Sequence, residues 1–161
     1  MQGFLVENAK IVPAFVPIDT TGAGQDGDWV HMKHWRRCCI IIQKGAWAAG
    51  TSAVTLEQAT SAAGAGNKEL VLERYWIGTA LTDDDVALTA VTSNTFNLAN
   101  VANEFVVMEV HVNDLDITNS FIYLRVRTAT PGASADLISA TYILYDAAHA
   151  LKADDIPTAI A

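Results

Sequence analysis

The sequence predicts an all-β protein, an antiparallel β-sandwich of jelly-roll type with about eight strands and an extended N-terminal arm. Three observations carry that prediction. Short runs of β-branched and aromatic residues recur along the chain, clusters of Gly, Asn, Asp and Pro separate them, and no stretch repeats its apolar residues at the period of a long amphipathic helix.

The elements follow in chain order. Lys10 to Asp19 sets Pro13 and Pro17 among Val, Ile and Phe, and a residue without a backbone N–H suits an edge segment or an arm better than a central strand. Thr20 to Gly27 is a loop, marked by Gly22, Gly24 and the Asp26-Gly27 pair. Residues 1–27 are therefore expected to be an arm and loop, residues 28–150 the sandwich, and residues 151–161 a C-terminal tail. Within the sandwich, Trp29 to Lys33 and Arg37 to Gln43 read as strands, the second carrying the β-branched run Ile40-Ile41-Ile42 of a buried strand.

Ala53 to Gln58 alternates with a period of two, and after the small residues 62–67 so does Glu69 to Trp76, which together predict a long hairpin with Trp76 internal. A turn at Asp83-Asp84-Asp85 leads to strand candidates at Val86 to Val91 and Thr95 to Leu98, with a helix open as an alternative around Asn97 to Asn103. Glu104 to Val112, Phe121 to Arg127 and Ile138 to Tyr145 are the best-defined strands, parted by Asn113-Asp114-Leu115-Asp116 and Thr130-Pro131-Gly132.

Composition narrows function. The 161 residues suffice for one domain with its own core. A net charge of −8 argues against a nucleic-acid footprint, which needs clustered Lys and Arg. No apolar run is long enough for a membrane-spanning helix, and the N-terminus lacks the basic and apolar regions of a secretory signal, so synthesis in a cytoplasm with no membrane partner is expected. Cys38 and Cys39 are adjacent, point to opposite faces of a strand and are expected to stay reduced.

No constellation of catalytic residues emerges. His31 and His34, with Asp26 and Asp28 nearby, are of metal-ligating type, but positions 31 and 34 of a strand face opposite ways unless the segment bends. Asp83 to Asp85 lacks the alternating ligands and closing Glu of a calcium loop. Asp114 and Asp116 have the residue type of an acid–base pair in sugar hydrolysis, yet Asp is equally expected in a connection between strands. Gly64 and Gly66 lack the Lys and Ser or Thr of a phosphate loop. Catalytic, metal and cofactor sites are accordingly expected to be absent. Aromatic residues are the remaining candidates: Trp29 and Trp35 at the core or an interface, and Trp47, in the Gly45 to Gly50 loop, at a contact.

Several stretches carry a resemblance. Val54-Thr55-Leu56-Glu57-Gln58-Ala59, Phe105-Val106-Val107-Met108-Glu109-Val110 leading into Asn113-Asp114-Leu115-Asp116, and Tyr142-Ile143-Leu144-Tyr145-Asp146 resemble small virion structural proteins of tailed bacteriophages. So does Gly27-Asp28-Trp29-Val30 followed by Arg36-Arg37 and an apolar strand. The resemblance implies a non-enzymatic head decoration or cement protein on the capsid surface, with the major capsid protein and further copies of itself, often as a homotrimer, for partners. Phe4, Ile11, Phe15, Trp29, Trp35 and Trp47 are the residues expected at such contacts. A tail-associated or receptor-binding carbohydrate module using loop aromatics such as Trp47 is the alternative, and a small hydrolase a third.

Overall fold

Alternation of buried and exposed residues organises the chain from Lys10 onward. The computed structural model describes residues 5–78, 87–91 and 93–148. Phe4, the Asp83 to Asp85 turn and the 151–161 tail lie outside the described residues. After one helical turn, Leu5–Asn8, come twelve described strands: β1 (Lys10–Asp19), β2 (Gln25–Asp26), β3 (Val30–His31), β4 (Trp35–Trp47), β5 (Ser52–Ala59), β6 (Lys68–Leu70), β7 (Arg74–Gly78), β8 (Ala87–Ala90), β9 (Thr95–Leu98), β10 (Phe105–His111), β11 (Tyr123–Thr128) and β12 (Asp136–Ala147).

All pairings among the described residues are antiparallel. Sheet I has the order β1-β12-β4-β10-β7-β8. Sheet II has the order β2-β11-β5-β6, with β3 also on β11 and β9 also on β5. The inner faces share one core, to which sheet I contributes Ile40, Ile42, Met108 and Tyr142 and sheet II contributes Val54, Leu56, Leu98 and Leu124, all fully buried. Tyr142 ties the layers together, because its hydroxyl accepts a bond from Val126 N of the opposite sheet at 2.8 Å. Gly27 makes room for that oxygen, since a Cβ there would stand 2.6 Å from it.

The expected N-terminal arm is a strand of the body. Lys10 to Asp19 pairs with β12 as the edge of sheet I, and Val12 and Ala14 are buried in the core. An edge strand needs ladder bonds on one side only, which is why Pro13 and Pro17 are tolerated, and the register shifts on either side of Phe15 fit the same position. Residues 20–27 are bonded in as well, with Thr20 N on Asp136 O at 2.9 Å and Gly27 N on Val126 O at 2.8 Å. Among the described residues, Lys10 to Gly27 therefore belongs to the sandwich, and no boundary at 27–28 sets it apart.

The long hairpin over 53–76 is also corrected. β5 and β6 pair only from Leu56–Leu70 to Gln58–Lys68, and the chain then crosses to sheet I. Leu70 and Leu72 are buried, Glu73 and Arg74 are both exposed, and beyond them it is Tyr75 and Ile77 that pack against the core. That one-residue slip turns Trp76 outward rather than inward. Around 97–103 no helix forms, because Thr95 to Leu98 pairs with β5. The strands beyond the expected eight or so include β1, expected as an arm, the two-residue β2 inside the expected 20–27 loop, and the break of Glu69 to Trp76 into β6 and β7.

A buried ion pair fixes the entry to β10. Lys44 Nζ lies 2.7 Å from Glu104 Oε2 and donates to Ala99 O at 2.6 Å, with the Trp47 ring centroid 4.1 Å away.

Candidate functional site: the outer face of sheet I

The central strands of sheet I are apolar on both faces. In β4 the run Cys38 to Ile42 has no polar residue, and in β10 neither does Phe105 to Met108, a pattern expected of strands covered on both sides. Cys38, Ile40 and Ile42 point into the core, as do Val106 and Met108, so their neighbours point out. Cross-strand register arranges those neighbours in rows. Ile11 opposes Ile143, which opposes Cys39. A second row runs Pro13, Thr141, Ile41, Val107, Trp76 and Leu88 across six strands.

These residues are only partly covered. Ile11 is 48% and Leu88 57% exposed, and Cys39, Ile41, Trp76, Phe105, Val107 and Ile143 are half-buried. The Phe105 ring approaches the neighbouring strand at Gly78, which has no side chain; a Cβ there would stand 2.3 Å from the ring. That glycine leaves the room the ring occupies.

Polar groups gather at one end. Arg37 Nη1 bonds Glu109 Oε1 at 2.8 Å, and the Tyr145 hydroxyl donates to the same oxygen. Tyr145 and then Arg37 hold the Glu109 carboxyl below its usual range, so it is an anion near neutrality. Burial, and then the bond to Glu109, push the Tyr145 hydroxyl up to about 12. Asp146 stands 3.9 Å from both Arg36 and Arg37. The outer face of sheet II contrasts with all this: Arg125 Nε bonds Glu57 Oε2 at 2.6 Å, Arg127 Nε meets Asp26 Oδ1 at 3.1 Å, and Lys68 Nζ meets Asp116 Oδ2 at 2.6 Å. Sheet II is faced with mutually satisfied charge, whereas the middle of sheet I, between the Arg37–Glu109 pair at one end and Gln43 beside Ser139 at the other, is largely aliphatic and aromatic apart from Thr141.

Of the residues expected at contacts, Ile11 alone among those described belongs to the outer apolar face. Trp35 and Trp47 are core residues, 4% and 8% exposed. Trp47 ends the thirteen-residue β4 instead of sitting in a loop, and its Nε1 donates to Gly50 O at 3.0 Å. Phe15 packs against the core from the edge strand. Trp29 is half-buried, with the Arg125 guanidinium 4.6 Å from its ring and Gly64 packed on its Nε1 edge.

The candidate chemical groups are engaged structurally. A turn at Lys33-His34 bends the chain so that His31 and His34 meet edge to face at 6.4 Å, while His31 also lies 4.7 Å from the Tyr123 ring. Among the described residues no three His, Cys, Asp or Glu side chains are placed to share a metal ion. Asp114 Oδ2 accepts from His111 N at 2.8 Å and Asp116 bonds Lys68 and Asn119, so each carboxylate ties down its own turn. Burial pushes both the Cys38 and the Cys39 thiols up, which keeps them protonated and weakly nucleophilic.

The sequence signal for the outer face was present in the unbroken apolar runs of β4 and β10. Trp76 and Leu88 carried no such signal, because they join the face only through the pairing of β7 with β10 and β8.

Comparison with known proteins gives little to set beside this geometry. No family model matches the chain, and no curated protein matches it. Among solved structures it is similar to the SPBc2 prophage-derived protein YomS, at 10% identity and a TM-score of 0.40 over 84% of this chain and 96% of the other. So loose a likeness carries no function across.

Proposed function

We propose that this chain is a non-enzymatic structural protein of a phage virion, a head decoration or cement protein that attaches to the capsid lattice through the outer face of sheet I. The observation that carries the reading is the double-faced apolar pattern of β4 and β10, whose inner half fills the core while the outer half, with Ile11 and Leu88, stays partly open. Exposed apolar patches rimmed by polar groups mark protein contact surfaces. Mounted on a rigid sheet, such a face adds little ordering cost on binding. Weak contacts repeated over a lattice gain from multivalency, and a homotrimer of this chain multiplies them again. The resemblance of residues 27–146 to small phage virion proteins supports the same role.

The test uses particles stripped of the protein. Wild-type chain and the double variant Ile41→Glu/Ile143→Glu are added and bound protein is measured by co-sedimentation. Two carboxylates on the open face leave the core untouched, so the variant stays folded by circular dichroism, while its apparent affinity falls at least about tenfold, the scale of losing a desolvated contact. Wild-type occupancy by the folded variant would refute the assignment of this face.

A further inference from the structure

Sheet I splits between β10 and β7. Their register ends at Val107–Trp76, yet β10 runs on to His111 while the chain before β7 comes across from sheet II. The opening is a cleft of about 500 Å³ that adjoins the apolar face, a size typical of small-molecule sites. Trp76 forms part of one wall. The Arg37–Glu109 pair at 2.8 Å and the Glu73–Arg74 pair at 3.5 Å add guanidinium donors beside carboxylate acceptors.

We propose that this cleft binds a neutral oligosaccharide. A sugar hydroxyl donates and accepts at once, and adjacent guanidinium and carboxylate groups answer both halves of that demand. The C–H face of a pyranose ring is apolar and matches the flat indole of Trp76. Polyanions are disfavoured because Glu73, Glu109 and Asp114 outnumber Arg37 and Arg74 in the lining. Trp47, the aromatic that the sequence offered for a sugar site, is buried, and Trp76 stands in its place.

The experiment takes the full chain to an array of neutral hexose and N-acetylhexosamine oligosaccharides, with sulfated and sialylated glycans and unrelated peptides as comparators. The strongest neutral binder is then titrated by tryptophan fluorescence and calorimetry. Trp76→Ala, checked by its melting curve, is expected to weaken binding at least about tenfold, as loss of an aromatic anchor does. Trp76→Tyr retains most of the affinity, and Ile41→Glu/Ile143→Glu still binds the glycan even where it no longer binds particles. Absence of neutral-glycan binding at millimolar concentration, preference for charged glycans or peptides, or equal affinity in a folded Trp76→Ala protein would each overturn the proposal.

Discussion

Replacing Lys44 by Met removes one half of an ion pair whose side chains are 0% and 1% exposed. The Glu104 carboxylate then loses the 2.7 Å bond to Nζ, and its buried Oε1 has no hydrogen-bond partner among the described residues. Ala99 O loses its 2.6 Å donor and Trp47 loses the cation over its ring. Breaking a buried pair on one side costs roughly 3–5 kcal/mol, because the remaining charge stays desolvated. For a domain of this size that lowers Tm by roughly 6–20 °C, at about 2–4 °C per kcal/mol. The assay is urea unfolding followed by tryptophan fluorescence. A second variant, Lys44→Met/Glu104→Leu, removes both charges and is expected to recover most of the loss, since apolar replacement of a buried pair is often neutral or stabilising. A Lys44→Met midpoint within about 1 kcal/mol of wild type would refute the reasoning, as would a double variant no better than the single one.

Two further predictions follow from the edge strand and the histidine pair. Deleting residues 1–19 removes β1 with the buried Val12 and Ala14 and bares the flank of β12, so the product is expected to lose its cooperative urea transition; a sharp transition at the wild-type midpoint would contradict this. Burial first, then His34 and Lys33, lower the His31 pKa, so the unfolded chain binds the extra proton more readily. Stability therefore rises with pH across the window from the folded value up to about 6.5 and falls on acidification through it. His31→Gln flattens that dependence in urea midpoints taken between pH 5 and pH 7.5, and an unchanged slope would remove His31 as its source.

The all-β class and the positions of the long strands were legible in the sequence because period-two alternation and turn chemistry are local. Ile138 to Tyr145 falls inside β12, and Arg37 to Gln43 inside β4. What could not be read is what depends on pairing. Pro13 and Pro17 pointed equally to an arm and to an edge strand, and only the register with β12 decides between them. Trp47 looked like a loop residue because Gly45 suggested a break, yet β4 continues through it with Leu137 packed where a Cβ would be. Trp76 changed sides through a one-residue slip at 73–74, a shift that reverses every later side chain in the strand. The apolar outer face was half legible, in Ile41 and Val107. Its other half, in Trp76 and Leu88, is created by strand order.

The central claim is that the outer face of sheet I seats this protein on a capsid, and its most direct test is cryo-microscopy of particles reconstituted with the purified chain. The account predicts density for the chain on the shell with Ile11, Ile41, Val107 and Ile143 turned toward it and the charged face of sheet II toward solvent. Particles that remain bare at saturating protein, or chains seated through sheet II, would contradict it.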